Sequence, residues 1–177
     1  MHALTYTVGV ALFLGARAAL FALVPAGRRV ILGSALAWGH AGPISELWHR
    51  ADYWRPEYLL PIELHGWVFG VEDYLFAFAF AGLCAGVFDA LIRRRGVGAV
   101  QTVTWGALAR LVAVGLVCLA LMGALAGALG LNSVYAIGLV FALGGVALLS
   151  ARRRWLVPAL QVAALTGLFM WFAYWGY

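Results

Sequence analysis

The chain has 177 residues, of which 65% are hydrophobic and only 11% are charged. Soluble domains carry roughly 25% charged residues, so this composition excludes a soluble globular protein, and the length suits one transmembrane domain over residues 1–177. The net charge of +5 does not indicate nucleic acid as a partner, because the arginines lie between apolar runs, where they act as topology signals.

Six apolar runs are long enough to form membrane helices, since a helix needs about 20 apolar residues to cross a bilayer. They predict an all-α membrane protein, a six-helix transmembrane bundle with spans at residues 6–24, 30–47, 67–92, 103–129, 134–149 and 155–174. No basic segment precedes the first run, and this pattern predicts a retained anchor and not a cleaved signal peptide. Gly42-Pro43 predicts a kink or an end in the second run, because proline lacks a backbone donor.

Arginine clusters define the orientation of the predicted bundle. They follow the first, third and fifth runs, at 28–29, 93–95 and 152–154. Because positive loops stay in the cytoplasm, these loops are predicted to be cytoplasmic and both termini to lie on the outer side. The absence of lysine and the abundance of Ala, Gly, Leu, Val and Arg are typical of a GC-rich bacterial gene. We therefore expect the bacterial cytoplasmic (inner) membrane, with the lipid bilayer as the first partner.

Glycine and cysteine lie mostly within the apolar runs. Three small-xxx-small pairs predict close helix packing, namely Gly66/Gly70, Gly82/Gly86 and Gly123/Gly127. Cys84 and Cys118 are expected to be small buried residues and not a disulfide.

All seven acidic residues fall within one central stretch, residues 44–89. A polar, aromatic connection runs through it from Trp48 to His65, and Pro56 and Pro61 argue against a regular helix there. Because almost no other side chains in the chain can supply chemistry, any active site is expected in this stretch.

Glu72 and Asp73 are the acids that most require an explanation. They are predicted about a turn and a half inside the third span, where an ionised group costs about 2.5–3.5 kcal/mol on insertion scales. One interpretation is a buried ion pair, for example with Arg17, that sets the helix register. The other is a carboxyl group in a low-dielectric pocket, where desolvation favours the protonated form, so that it can act as an acid.

Glu46 and His49 form a second polar group, because residues three apart share a helix face. A Glu-x-x-His pair can bind iron or manganese in helical bundles. Such a site would need more ligands, and Glu63 and His65 in the connection are the candidates. Interfacial hydrogen bonding is the alternative, and no metal is included in the predicted site.

The central stretch is also crowded with aromatic residues. Belt and packing roles account for many of them, but some could line a cavity for a long conjugated apolar molecule. Aromatic faces also stabilise a developing cation. The candidates for a substrate wall are Trp54, Tyr58, Trp67, Tyr74 and Phe76.

Two segments of this stretch carry a family resemblance. D-Y-W-R-P-E-Y-L-L (52–60) and G-W-V-F-G-V-E-D-Y-L-F-A-F (66–78) resemble the lycopene cyclase domain of the small, membrane-integral, heterodimer-type carotenoid cyclases. Gly70 stands where the family motif has proline. The resemblance is specific over residues 44–90 and implies a non-redox cyclisation of a carotenoid end group, without a cofactor.

Carried over by motif position, Glu72 would protonate a terminal double bond of lycopene, and Asp73 would be its partner. The nearby aromatic residues would stabilise the carbocation. The family offers two acidic motifs on paired repeats or subunits, whereas the last three spans of this chain contain no Asp or Glu. The chain would therefore act with a second subunit, in a homo- or hetero-oligomer.

Two alternatives to a cyclase stay open. The first is a non-catalytic membrane protein that binds a carotenoid or another isoprenoid, or that serves as a subunit of a larger membrane assembly. The second is a transporter, which more usually distributes polar residues over several spans.

Overall fold

The computed structural model describes residues 3–52, 55–96 and 104–175, which are mostly helical. Seven helices follow one another as α1 (Ala3–Leu23), α2 (Arg28–Trp38), α3 (Ala41–His49), α4 (Val71–Arg94), α5 (Trp105–Gly123), α6 (Ser133–Ala151) and α7 (Leu156–Trp175). A π-helical turn, Ala124–Ala128, continues α5. Between α3 and α4, β1 (Pro61–Leu64) and β2 (Trp67–Gly70) form an antiparallel hairpin.

Among the described residues, five helices are long and apolar enough to cross a membrane. They cover Leu4–Leu23, Val71–Arg94, Ala109–Ala128, Ser133–Ala151 and Arg153–Phe172. Large apolar side chains on α5, α6 and α7 stay exposed, among them Val114, Leu143 and Leu168. A surface of this kind suits lipid and not water. The expected class, a helical integral membrane protein, is confirmed.

The second predicted span is divided into α2 and α3 at Gly39–His40. The cause is Pro43, which has no N–H to donate to the carbonyl of Gly39 four residues earlier. Gly42 N–H donates to that carbonyl instead, at 3.3 Å. The predicted kink at Gly42-Pro43 therefore occurs one turn earlier, at Gly39. The carbonyl of Gly39 is the acceptor of the hydrogen bond that Pro43 cannot donate.

Helix α4 occupies the centre of the molecule and packs against α1, α2, α3 and α7. Phe13 of α1 is buried and contacts three rings edge-on, with centroid distances of 5.2 Å to Phe76, 5.9 Å to Phe80 and 4.7 Å to Phe169. Ala79 and Leu83 of α4 complete this core. The helix that carries Glu72 and Asp73 is thus held on several sides.

The predicted glycine contacts are confirmed for one pair. A Cβ atom on Gly86 would lie 2.6 Å from Ile31 Cγ1, and one on Gly82 would lie 3.0 Å from the Ile31 carbonyl oxygen. Helix α2 therefore packs closely on α4 across these glycines. Gly123 contacts the Trp48 ring, but nothing lies within 4 Å of a Cβ on Gly127. The third pair, Gly66/Gly70, lies in the hairpin and not on a helix.

The start of the third predicted span was wrong by four residues, since α4 begins at Val71 and not at Trp67. The four residues Trp67–Gly70 pair with Pro61–Leu64, with Ile62 opposite Phe69. His65 and Gly66 join the strands with φ values of 51° and 82°, as a two-residue hairpin turn requires. A short apolar run does not distinguish strand from helix, and the pairing partner decided the outcome.

Candidate functional site

Three buried carboxyl groups meet where the connection crosses the ends of the helices. Glu46 lies on the last turn of α3, and Glu72 and Asp73 lie on the first turn of α4. Two phenol groups accompany them, Tyr6 from α1 and Tyr58 from the connection. These five residues are called the carboxyl cluster below. Glu72 and Asp73 therefore lie at the helix end and not a turn and a half inside the span, because the hairpin displaces the start of α4.

Asp73 is almost completely buried and binds two different elements. Its Oδ1 accepts a hydrogen bond from the Tyr6 hydroxyl at 2.7 Å, and its Oδ2 accepts one from Gly70 N–H at 2.8 Å. A carboxylate that bonds back to the residue before a helix satisfies a free N–H at the helix start. Asp73 thus both caps α4 and joins it to α1.

Glu72 binds the connection instead. Its Oε1 accepts hydrogen bonds from Leu59 N–H at 2.7 Å and from Leu60 N–H at 3.2 Å. Its Oε2 is buried without a hydrogen-bond partner among the residues that the structure describes. Adjacent helical residues diverge by about 100°, and accordingly the two neighbouring acids bind different partners.

Tyr58 lies against the same acids. Its ring centroid is 6.1 Å from that of Tyr6. Burial raises the pKa of Tyr58, and the nearby charges of Asp73 and Glu46 raise it further. The phenol therefore stays protonated, and its hydroxyl is buried without a hydrogen-bond partner among the described residues. The hydrogen bonds of Asp73 and Glu72 tie α4 to α1 and to the connection.

Arg17 forms no ion pair with these acids. It lies 11 residues after Tyr6, about 16 Å along α1. Its guanidinium lies 4.4 Å from the centroid of the Phe78 ring, a cation–π geometry. The Arg17 Nε atom is buried and has no hydrogen bond within the described parts of the chain. The ion-pair interpretation of Glu72 and Asp73 is therefore not what the geometry shows.

A cavity of about 530 Å³ lies between five helices, α2 to α6. Its walls are mainly apolar and aromatic, with Trp38, Phe76, Phe80 and Phe141 as the large rings. Cys84 and Cys118 are free thiols and also line it. The residues that line it do not include Glu72 or Asp73. This apolar cavity is thus separate from the predicted acids.

His49 lines this cavity and is held by a polar chain. Its Nδ1 lies 2.6 Å from the hydroxyl of Ser133, the first residue of α6, which is fully buried. Ser133 N–H in turn donates to Asp52 Oδ2 at 2.5 Å. Hydrogen bonds from the Ser133 side chain and backbone hold the pKa of Asp52 below its ordinary value.

The predicted aromatic wall is only partly assembled at the cavity. Phe76 lines it. Tyr58 belongs to the carboxyl cluster, Trp67 packs on Phe69 at 4.5 Å, and Tyr74 packs on His40 at 5.2 Å. Trp54 lies outside the described residues.

The possible metal ligands are also apart. Glu46 joins the carboxyl cluster, His49 binds Ser133, and Glu63 and His65 are exposed on the hairpin. Within the described ranges no group of three His, Cys, Asp or Glu side chains could hold a metal ion.

Three polar residues of these sites were missed by the sequence reasoning: Tyr6, Asp52 and Ser133. Tyr6 lies at the start of the first apolar run, where it resembles an interfacial aromatic residue. Asn132-Ser133 is a helix-start signal, and the Asn132 side chain does cap α6 by accepting from Val134 N–H at 3.0 Å. That signal predicts a helix start, but it does not predict the contact of Ser133 with Asp52, 81 positions earlier.

Comparisons with protein-family models, with curated proteins and with solved structures give no match for this chain. The site therefore has to be interpreted from its own geometry.

Proposed function

We propose that this chain is an integral membrane protein that binds the apolar end of a long isoprenoid, a carotenoid or a related molecule, in the cavity between α2 and α6. The observation that carries this proposal is the cavity itself. At about 530 Å³ it lies within the range of roughly 300–1,000 Å³ that small-molecule sites occupy. This is the non-catalytic alternative derived from the sequence, with a defined binding place.

The lining explains the choice of ligand class. Large rings from three helices line this space, namely Trp38 of α2, Phe76 and Phe80 of α4, and Phe141 of α6. Flat aromatic walls suit a conjugated or unsaturated chain, and the described lining residues include no Asp, Glu or Arg. The membrane around α5 and α6 would deliver such a ligand directly.

The proposed topology has six spans with both termini outside, in the bacterial inner membrane. Together with Gly39 and His40, the 11 residues of α2 and the 9 residues of α3 cover about 33 Å when placed end to end, enough for a hydrocarbon core of about 30 Å. This topology places the carboxyl cluster and His49 at the outer side, and the arginine loops in the cytoplasm.

A second candidate function is the carotenoid cyclase. Two observations favour it: the resemblance over residues 44–90, and the position of Phe76 in the cavity wall, one turn after Glu72 on the same helix. In this candidate Glu72 donates a proton to a carotenoid end group, Asp73 assists, and a second subunit supplies the other acidic motif. The present hydrogen bonds of both acids to backbone and phenol favour a structural role, which is why binding is the leading proposal.

The test is expression in a lycopene-accumulating bacterial host, purification of the full chain in mild detergent, and chromatography of the extracted pigment. We expect pigment to co-purify with the wild type. Ala81→Phe should abolish this, because Ala81 lines the cavity. Ala142→Phe is the matched control, since Ala142 is exposed on α6. Wild-type protein that is folded but free of pigment would contradict the proposal.

The same extracts separate the two functions. If the chain only binds, the pigment should be unchanged lycopene, and Glu72→Gln should leave the ratio of pigment to protein unaltered. A cyclised carotenoid that disappears in Glu72→Gln would establish the cyclase instead.

A further inference from the structure

We propose that the ligand of the cavity is long enough to extend out of it, and that the rest of its chain lies in a groove between α2, α3 and α5. The inference rests on the proposed function, in which the cavity holds only the end of an isoprenoid. It adds the place of the remaining chain, and it makes ligand length the property that the protein selects.

The groove is a second space, of about 350 Å³. Helices α2 and α3 form one side of it and α5 the other, and its described lining is apolar and aromatic apart from His40. Three of the lining side chains, Leu36, Val112 and Leu116, are exposed on the surface of the protein. Because α5 is long and apolar enough to cross the membrane, the groove opens toward the acyl chains of the lipid.

The groove and the cavity adjoin each other. Four residues line both spaces, namely Trp38, Ala41, Leu111 and Leu119. Since the same side chains bound the groove and the cavity, a single layer of side chains separates the two spaces.

Trp38 is the largest side chain of this layer. A Cβ atom on Gly115, which lines the groove, would lie 3.3 Å from Trp38 Cη2. The Trp38 ring centroid also lies 6.4 Å from that of Phe141, which lines the cavity. The indole thus contacts the walls of both spaces, and a chain that runs from the groove into the cavity passes this ring.

The two linings define the class of ligand. The described residues of both spaces include no Asp, Glu or Arg, so the chain that joins them has to be apolar along its length. A short isoprenoid fills the cavity alone and gains no burial from the groove, whereas a longer one buries more apolar surface. The fitting ligand is therefore a long isoprenoid of the carotenoid kind, with one end in the cavity and its chain in the groove.

The experiment compares β-carotene with retinol, two probes that share the same ring and differ in chain length. Each is titrated into the purified full chain in detergent, and quenching of tryptophan fluorescence reports binding. Trp38 is a suitable reporter, because it lies in the wall that the two spaces share. The wild type should bind both probes.

Two variants fill the groove from opposite sides. Ala37→Phe acts from α2 and Val112→Trp from α5, and neither position is among the described residues that line the cavity. Each should weaken β-carotene binding by about tenfold or more, because the added ring occupies the space of the chain, and should leave retinol binding unchanged. Ala81→Phe in the cavity should weaken both probes, and Ala142→Phe on the exposed face of α6 should weaken neither.

The outcomes separate the two proposals. If Ala81→Phe excludes both probes but both groove variants bind β-carotene as the wild type does, the groove site is overturned and isoprenoid binding in the cavity stands. Equal loss of retinol and β-carotene in both groove variants, with helix content unchanged by circular dichroism, also overturns the groove as a separate seat. Wild-type binding of neither probe above the Ala81→Phe level overturns both proposals.

Discussion

Asp73 shows how one side chain joins distant parts of this chain. Its carboxylate receives the Tyr6 hydroxyl from α1 and the Gly70 N–H from the end of the hairpin. Both partners are buried, so the loss of either leaves a polar group unpaired, which costs more than the hydrogen bond itself contributes. At this position the residue is a structural connector.

Asp73→Ala is therefore expected to destabilise the protein by about 1–3 kcal/mol, and Tyr6→Phe by about 1 kcal/mol. Because the two side chains share a hydrogen bond, the double variant should lose less than the sum. The stability of each variant is measured by unfolding the detergent-solubilised chain and monitoring the loss of helix by circular dichroism. Glu57→Ala, at an exposed position of the connection, is the control and should be nearly neutral. Strict additivity of Asp73→Ala and Tyr6→Phe would contradict the proposed coupling.

At the scale of elements, close helix approach depends on glycine at a few sites. A Cβ atom on Gly42 would overlap the carbonyl oxygen of Asp73. Backbone cannot turn away as a flexible side chain can, so α3 would have to move off α4. The same contact positions Glu46 within the carboxyl cluster and His49 at the cavity wall.

Gly42→Ala is accordingly expected to lower stability strongly and to reduce pigment binding. Gly144→Ala is the matched control, since a Cβ there meets nothing within 4 Å. In a helix interior that change removes the glycine penalty and should be neutral or stabilising by about 0.5–1 kcal/mol. Thermal unfolding of the two variants, measured in parallel, compares their stabilities. Equal stability of both would show that α3 and α4 are not packed as described.

At the scale of the whole molecule, the number of spans depends on whether α2 and α3 together cross the membrane. Their break at Gly39–His40 leaves each piece too short to span alone. If the pair crosses, Arg29 and Glu57 lie on opposite sides of the membrane. If it turns back, they lie on the same side.

Single cysteines at these two positions test the topology in a background without Cys84 and Cys118. Both positions are exposed, and so a thiol there is reachable. With a membrane-impermeant maleimide, Glu57→Cys should react in intact spheroplasts, and Arg29→Cys only after permeabilisation. Arg94→Cys provides the cytoplasmic reference. Reaction of both Arg29→Cys and Glu57→Cys from outside would show a re-entrant pair and five spans.

Local properties of the sequence determined the class of this protein and most of its helices. Apolar length is a local quantity, and it predicted the runs that became α1, α4, α5, α6 and α7. Pro43 likewise predicted the break in the second run, since a missing N–H acts within one turn. Pro56 and Pro61 predicted the absence of a helix in the connection, and the described residues between His49 and His65 form none.

Tertiary structure alone decided which polar groups meet. Trp67–Gly70 became a strand because Pro61–Leu64 was available as a partner, and this moved Glu72 and Asp73 to the helix end. Ser133 reached Asp52 and His49 across more than 80 positions, and no local pattern encodes that contact. The reason is physical: helix formation and membrane insertion depend on neighbours in the chain, whereas a cavity and its hydrogen bonds depend on how whole helices pack.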